Sequence, residues 1–177
     1  MKNNNFQITT LKLETLSKEN FKKDLEQRFN SKGKFFYQLY PNQKLREQTG
    51  LTNRAFYLGK SEDIADRLYR HFKGMSTKFA YSSSNMEKGR RIYAMMSPHC
   101  FDIPEYMLEN LYKYINVELH DLTETDIDLD CYEAQQIKSF KRIHNTMPVL
   151  QKREEPTIVG NLARSRRFFG YEEEVKV

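Results

Sequence analysis

An arginine and a histidine lie four residues apart in the segment FYLGKSEDIADRLYRHF, which spans residues 56–72. Side chains four residues apart are neighbours on a helix, so Arg67 and His71 could act together on one substrate group. The helical rotation places both of them on one flank of an apolar stripe, leaning toward the rest of the fold rather than straight into water. The alternative interpretation is an amphipathic surface helix whose polar edge contains the two residues by coincidence.

A carboxylate in an apolar setting is the second chemical signal. Glu133 lies at the centre of a predicted helical face that is formed by Leu129, Ile137 and Phe140. An isolated buried charge is strongly unfavourable, so this carboxylate needs a cation, a hydrogen-bond network or a proton. One interpretation is a first-turn acid that the helix dipole favours and that water partly solvates. The other is a ligand for a hard divalent cation, because Mg²⁺ commonly takes one or two protein carboxylates together with water and phosphate oxygens.

Hydrophobic periodicity and turn residues predict the elements that would position these side chains. In chain order they are a helix from Ser17 to about residue 30, strands over residues 34–40 and 55–58, a helix from Ser61 to about Phe72, a helix from Pro104 to about Ile115, a strand over residues 117–122 and a helix from Asp130 to Ile143. Gly59 is expected to turn the chain after the second strand, and residues 41–54 are expected to form a polar loop. We therefore predict an α/β fold of the α+β type, with a small three-stranded antiparallel or mixed sheet flanked by helices.

A chain of 177 residues can bury one hydrophobic core, so we predict one domain with extensions. Residues 1–32 are expected to be an N-terminal helical extension and residues 33–150 the main domain. That domain would carry an insertion at about residues 74–103, and residues 151–177 would form a polar C-terminal tail.

The overall charge favours an acidic partner without identifying one. The formal net charge is +5 and the sequence pI is about 9.1, a balance that suits a polyanion but is common among cytoplasmic proteins. Cys100 and Cys131 are too few for a disulfide framework and lack the spacing of a metal site, which favours a reducing compartment. The N-terminal segment lacks an apolar signal core, and no apolar run approaches the length of a membrane span. We expect a cytoplasmic protein of a bacterium or a phage-infected host cell, without membrane association.

A series of motif positions, in order along the chain, resembles the GIY-YIG nuclease superfamily over most of residues 34–148. The matching positions are Phe35-Phe36-Tyr37 for GIY, Tyr57-Leu58-Gly59 for YIG, Arg67 and His71 on the following helix, and Glu133, Ile137 and Asn145 on a later helix. The sequence departs from the family where Phe35 replaces the first glycine and Arg142 replaces a proline, and its loop between the tyrosine motifs is longer. A register that uses Gly33 and Phe35 for the first motif would leave that motif without a tyrosine.

The resemblance implies roles for these residues in phosphodiester hydrolysis, which needs an activated water and neutralisation of charge on the phosphate. Tyr37 would orient or deprotonate the water, through His71 or the metal, while Tyr57 would hold the phosphate or share the role of base. Arg67 would bind the nonbridging oxygens with its planar fork. Glu133 would hold one Mg²⁺ or Mn²⁺ beside the leaving group.

Several of these assignments have ordinary alternatives. Tyr37 and Tyr57 could simply be core aromatics of the sheet. Lys60 would add positive charge near the phosphate, or is a solvated turn residue. Asn145 would brace the site rather than react.

These expectations describe a divalent-metal-dependent DNA endonuclease, such as a restriction enzyme or a phage-encoded nuclease, with Mg²⁺ or Mn²⁺ as its cofactor. Because one site per chain cuts one strand, cleavage of a duplex predicts a homodimer or a higher homo-oligomer. Lys88, Arg90 and Arg91 would add DNA contacts from the insertion, or form a solvated loop. The alternatives are a nucleic-acid-binding module with an inactive site, and a repair nuclease that recognises DNA structure.

Overall fold

A computed structural model describes residues 5–73, 105–108 and 110–148 of the chain. Within these ranges the strands are β1 (Gln7–Lys12), β2 (Lys32–Pro41), β3 (Tyr57–Asp63) and β4 (Ile115–Asp121). The helices are α1 (Phe21–Arg28), α2 (Gln43–Thr49), α3 (Ile64–Lys73), α4 (Glu105–Leu108) and α5 (Leu129–His144), and a 3-10 helix spans Leu111–Tyr114. The predicted insertion at 74–103 and the predicted tail at 151–177 lie outside the described residues.

The strands form one four-stranded sheet in the order β1-β4-β2-β3, and every neighbouring pair is antiparallel. The α+β class agrees with the prediction, but the prediction of three strands was wrong because it missed β1. Five of the six positions of β1 are exposed, so this strand lacks the buried face that produces an alternating sequence pattern. Backbone pairing with β4 holds it instead, and residues 1–32 are therefore not a purely helical extension.

The hairpin of β2 and β3 is longer than the sequence predicted. Tyr37 lies opposite Gly59, and the pairing continues until Lys32 lies opposite Asp63. Gly59 is therefore a strand residue, and the prediction that it turns the chain was wrong. The helix after it is capped by Asp63, whose side chain accepts a hydrogen bond of 3.0 Å from the backbone N–H of Asp66, and not by Ser61 as predicted.

The segment between β2 and β3 contains a helix where a polar loop was expected. Asn42 caps α2 by accepting a hydrogen bond from the backbone N–H of Leu45, and Gly50 ends it in the left-handed conformation with φ of 73°. Leu45 is the only buried residue of α2, so the segment shows no apolar periodicity from which a helix could be predicted.

The helix predicted to end at about Ile115 also differs from the structure. The described residues there form the short α4 and the 3-10 helix, and Ile115 already begins β4. Among the described residues, none of the helices combines the length and the apolar character needed to cross a membrane.

Two hydrophobic cores lie on opposite faces of the sheet, so that β2, one of the two central strands, is buried on both sides. Phe35, Tyr37 and Leu39 point to the core shared with α1 and α3, whereas Phe36 points to the core covered by α5. The edge strand β3 contacts both α3 and α5. Residues of those two helices can therefore meet near this edge of the sheet.

Candidate functional site

Three hydrogen-bonding side chains meet on the α3 face of the sheet. The hydroxyl oxygen of Tyr37 lies 2.6 Å from Nε2 of His71, and Nε of Arg67 donates to the same oxygen at 3.0 Å. Tyr37 is completely buried and His71 is 1% exposed. The helical spacing of Arg67 and His71 thus brings both of them to one tyrosine of β2.

The chemistry of the three groups fixes the direction of one of their two hydrogen bonds. An arginine side chain has only donors, so the oxygen of Tyr37 accepts from Arg67. The O–H of Tyr37 can donate to Nε2 of His71 when that nitrogen carries no proton, as in the neutral tautomer with its proton on Nδ1. In that tautomer the hydroxyl proton of Tyr37 points at a base.

Tyr57 completes the cluster from the edge strand. Its ring lies 6.1 Å from the ring of Tyr37 and 5.3 Å from that of His71, the latter contact being edge-on. Unlike Tyr37, Tyr57 is only partly buried, as is Arg67. Tyr57 and Arg67 are consequently the members of the cluster that a ligand can reach first.

Gly59 makes room for both tyrosines. A Cβ atom at this position would lie 2.6 Å from the hydroxyl oxygen of Tyr37 and 2.9 Å from Cε1 of Tyr57, which is closer than side chains tolerate. Its backbone is extended and needs no unusual φ, so the reason for a glycine here is space. The triplet Tyr57-Leu58-Gly59 carries this signal in the sequence.

Burial and neighbouring charges fix the protonation of the cluster. Burial raises the pKa of Tyr37 well above 10, and the nearby Tyr57 and Glu133 raise it further, while Arg67 offsets part of this effect. Burial by itself would lower the pKa of Arg67, but interactions with the two tyrosines outweigh it and raise that pKa above its ordinary value. At neutral pH the cluster therefore holds a neutral tyrosine beside a permanent cation.

Glu133 approaches the cluster from the other helix. It lies in the second turn of α5 and is 9% exposed, and its carboxylate is near enough to raise the pKa of Tyr37. Among residues 5–73, 105–108 and 110–148, no group of three or more His, Cys, Asp or Glu residues is arranged to hold a metal ion. A single buried carboxylate fits a hard cation such as Mg²⁺, which takes most of its ligands from water and phosphate.

Lys60 does not face the tyrosines. It forms an ion pair with Asp130 of α5 and lines a cavity of about 540 Å³ between β3 and the start of that helix. Lys34 also lines this cavity, where its Nζ donates to the backbone oxygens of Thr125 at 2.6 Å and Ile127 at 3.1 Å. Four acidic residues share the lining with the two lysines, so the cavity is a poor site for a phosphate.

Asn145 lies at the far end of α5 from Glu133, about 18 Å along the axis at 1.5 Å per residue. It is exposed and ends the helix in the left-handed conformation, with φ of 53°. Asparagine is a common residue at such a position, so helix termination accounts for it. Lys88, Arg90 and Arg91 lie outside the described residues.

A second polar network, which was not predicted from the sequence, lies on the α5 face of the sheet. Nδ1 of His120 lies 2.7 Å from the hydroxyl of Tyr132, and Nε2 of His120 lies 2.8 Å from Oε1 of Glu118. Glu118 and His120 are two residues apart in β4, and strand alternation puts such residues on one face. That spacing was the available signal.

The clustered residues come from elements that are distant in the sequence, namely β2, β3, α3 and α5. The resemblance to the GIY-YIG nucleases rests on the types of these residues and their order along the sequence. Comparisons of the chain with protein-family models, with curated proteins and with solved structures find no match.

Proposed function

We propose that the protein is a divalent-metal-dependent DNA endonuclease of the GIY-YIG type, which hydrolyses phosphodiester bonds. The observation that carries the proposal is the set of partners around the buried hydroxyl of Tyr37, which are a histidine and an arginine. Tyr112, a buried tyrosine of the same core, instead donates to the backbone oxygen of Leu16 at 3.0 Å. An ordinary core tyrosine is satisfied by such a carbonyl, whereas Tyr37 is placed between a cation and a base.

Arg67 and Tyr57 would meet the phosphate. Arg67 uses one N–H for Tyr37, and its guanidinium has five donors in a planar fork that suits phosphate oxygens. Its charge would offset the negative charge that builds on the nonbridging oxygens as water attacks. The hydroxyl of Tyr57 stands beside it at the partly exposed side of the cluster.

Tyr37 and His71 would receive the proton of the attacking water. Because the pKa of Tyr37 is raised, a tyrosinate is not the resting base. The oxygen of Tyr37 would take a proton from the water while its own proton passes to Nε2 of His71. Since Tyr37 has no exposed surface in the DNA-free chain, this step requires Tyr57 and Arg67 to move when the phosphate binds.

Glu133 would hold the metal. A Mg²⁺ or Mn²⁺ ion bound there would supply Lewis-acid stabilisation of the departing 3′ oxygen. The carboxylate of Glu133 lies in a largely water-excluded position, where its attraction for a cation is stronger than in bulk water. The negative charge of Glu133 is also one of the influences that raise the pKa of Tyr37.

The direct test is incubation of supercoiled plasmid and of linear duplex with the protein, in Mg²⁺, in Mn²⁺ and in EDTA. We expect nicked or linear product only with metal, and a fall of about 10² to 10⁴-fold in single-turnover cleavage for Tyr37→Phe. The matched control is Tyr112→Phe, which removes a buried hydroxyl from the same core and should retain cleavage. Equal cleavage by the two variants would overturn the assignment of Tyr37.

The products also separate the neighbouring proposals. Metal-dependent cutting confined to branched or damaged DNA would identify a structure-specific repair nuclease rather than a restriction or phage-encoded enzyme. Binding of DNA without cleavage would leave a nucleic-acid-binding module with an inactive site. Linear product formed together with nicked product, at a rate that rises with the fraction of dimer, would support the homodimer.

A further inference from the structure

We propose that Glu118, His120 and Tyr132 form a positioning relay that fixes the start of α5, and with it the carboxylate of Glu133. The catalytic consequence of this inference rests on the proposed nuclease function. Its structural part concerns the metal-free chain and can be measured without cleavage.

The relay has one hydrogen-bond direction in the tautomer of His120 that carries its proton on Nε2 alone. A carboxylate accepts only, so Nε2–H of His120 donates to Oε1 of Glu118. Nδ1 of the neutral imidazole is then an acceptor, and the O–H of Tyr132 donates to it. Glu118 of β4 thus favours this tautomer of His120, and the tautomer in turn makes Nδ1 the acceptor for the hydroxyl of Tyr132.

The strand side of the relay is held firmly. Phe6 stacks on His120 with ring centroids 5.6 Å apart and an interplanar angle of 22°, and Phe36 meets His120 edge-on at 5.2 Å. Nε2 of Gln38 donates to Oε1 of Glu118 at 3.0 Å. Glu118 and His120 are thus anchored to β4 and β2, while Tyr132 is the one member of the relay that belongs to α5.

The hydroxyl of Tyr132 therefore ties the beginning of the helix to the centre of the sheet. Tyr132 directly precedes Glu133, so a movement of this part of α5 carries the carboxylate with it. Other bonds at this end include the cap of Asp128 on the N–H of Cys131, the ion pair of Lys60 with Asp130 at the sheet edge, and the bond from Nζ of Lys34 to the backbone oxygen of Ile127. Groups that orient a metal ligand control metal affinity even though they do not touch the metal.

The test compares Tyr132→Phe with Tyr112→Phe. Each variant keeps its ring and loses one buried hydroxyl hydrogen bond, but only Tyr132 is linked to Glu133. We expect comparable decreases in melting temperature. Only Tyr132→Phe should raise the Mg²⁺ concentration for half-maximal cleavage, by about 10-fold, with a maximal rate close to that of the wild type.

Two readouts do not use cleavage. The first is binding of Mn²⁺ to the protein in the presence of a nonhydrolysable phosphorothioate duplex, measured from the electron paramagnetic resonance signal of free Mn²⁺. This binding should be weaker in Tyr132→Phe and unchanged in Tyr112→Phe. Amide hydrogen exchange of residues 131–136 in the metal-free chain should quicken only in Tyr132→Phe. Glu118→Gln, a second variant at a partly exposed position, should shift both readouts in the same direction by less.

The outcomes distinguish this inference from the nuclease proposal. A wild-type chain that binds Mn²⁺ but never cuts overturns the nuclease function, and a selective loss of Mn²⁺ affinity in Tyr132→Phe would still support the relay. If Tyr132→Phe and Tyr112→Phe have the same Mn²⁺ affinity, the same Mg²⁺ midpoint and the same exchange, the relay only stabilises the core and the inference is wrong. A wild-type chain that neither binds Mn²⁺ nor cuts overturns the nuclease function and the role of the relay in metal binding, and amide exchange that is equal in the two variants then overturns the anchoring of α5 as well.

Discussion

Each face of the sheet buries a tyrosine–histidine hydrogen bond, and the two bonds have nearly the same length. On the α3 face Tyr37 meets His71 at 2.6 Å, and on the α5 face Tyr132 meets His120 at 2.7 Å. They differ in the charged group beside them. Arg67 donates to the tyrosine oxygen in the first, whereas a carboxylate accepts from the far side of the imidazole in the second.

That difference separates a reactive arrangement from a structural one. Next to Tyr37, the cation leaves the hydroxyl able to donate to a neutral His71 and offers further donors at a partly exposed surface, which suits an incoming anion. Next to Tyr132, the hydrogen bonds end at the carboxylate of Glu118. This network therefore offers no cation that could bind a phosphate. The same pair of residue types therefore serves two purposes, according to the charge that flanks it.

The largest expected effect is on the cation. Arg67→Lys keeps the positive charge but loses the planar fork, so we expect single-turnover cleavage to fall about 10³-fold with DNA affinity reduced much less. Arg70→Lys is the matched control, because Arg70 lies on the same helix, is largely exposed and pairs with Asp66 at 2.7 Å. Equal rates for the two variants would remove Arg67 from the site.

The carboxylate of α5 is expected to have the next largest effect. Glu133→Gln keeps the size of the side chain and removes the charge that a hard cation requires, so we expect cleavage to fall about 10²-fold with folding and DNA binding retained. Glu62→Gln, at an exposed position of β3, should cut like the wild type. A lower melting temperature with full cleavage by the folded fraction would instead make Glu133 a structural acid.

The space beside the tyrosines gives a third prediction. Gly59→Ala should lower the free energy of unfolding by about 2 kcal/mol, because its Cβ overlaps the rings of Tyr37 and Tyr57. Gly50→Ala has open space and only a left-handed backbone to strain, so it should cost about 1 kcal/mol and leave cleavage unchanged. Urea denaturation of both variants measures the difference, and a smaller loss for Gly59→Ala would show that the tyrosines can move aside.

The smallest expected effect is on stability at high pH, and it concerns Tyr40, which packs on the same face of the sheet as the relay. Burial, and then the carboxylate of Glu118, raise the pKa of Tyr40 to about 12. The folded chain holds the hydroxyl proton of Tyr40 more tightly than the unfolded chain does. The resulting contribution to the stability of the fold is therefore fully present below about pH 10 and is lost as the pH rises toward 12. Tyr40→Phe should therefore flatten the decline of melting temperature between pH 10 and 12. The exposed Tyr106→Phe should not, and identical slopes would contradict the prediction.

Much of the cluster could be predicted because its signals are local. Arg67 and His71 are one helical turn apart, and Glu133 interrupts an apolar face. Their spacing therefore indicates that these three residues are candidates for a functional site. The partly buried partner of Lys60 could not be predicted, because Asp130 reaches it from an element that is 70 residues away in the chain.

The fold was predictable where side chains are buried in a regular pattern. β2 and α5 show such patterns, and both were found close to their observed bounds. β1 and α2 were missed because backbone pairing holds one, and caps with a single buried leucine hold the other. The role of Gly59 depends on atoms across the hairpin, so a turn was the natural but wrong interpretation of a lone glycine.

The exposure of β1 has a consequence for what this chain tolerates. Because its side chains pack against little, most substitutions within Gln7–Lys12 should be neutral so long as none removes a backbone donor from the ladder. Truncation of the chain through Lys12 is a different matter, since it would expose the edge of β4 to intermolecular pairing and also remove Phe6, whose ring stacks on His120. This segment should thus tolerate many substitutions but not its own deletion. Random mutagenesis would test the first expectation and serial truncation the second.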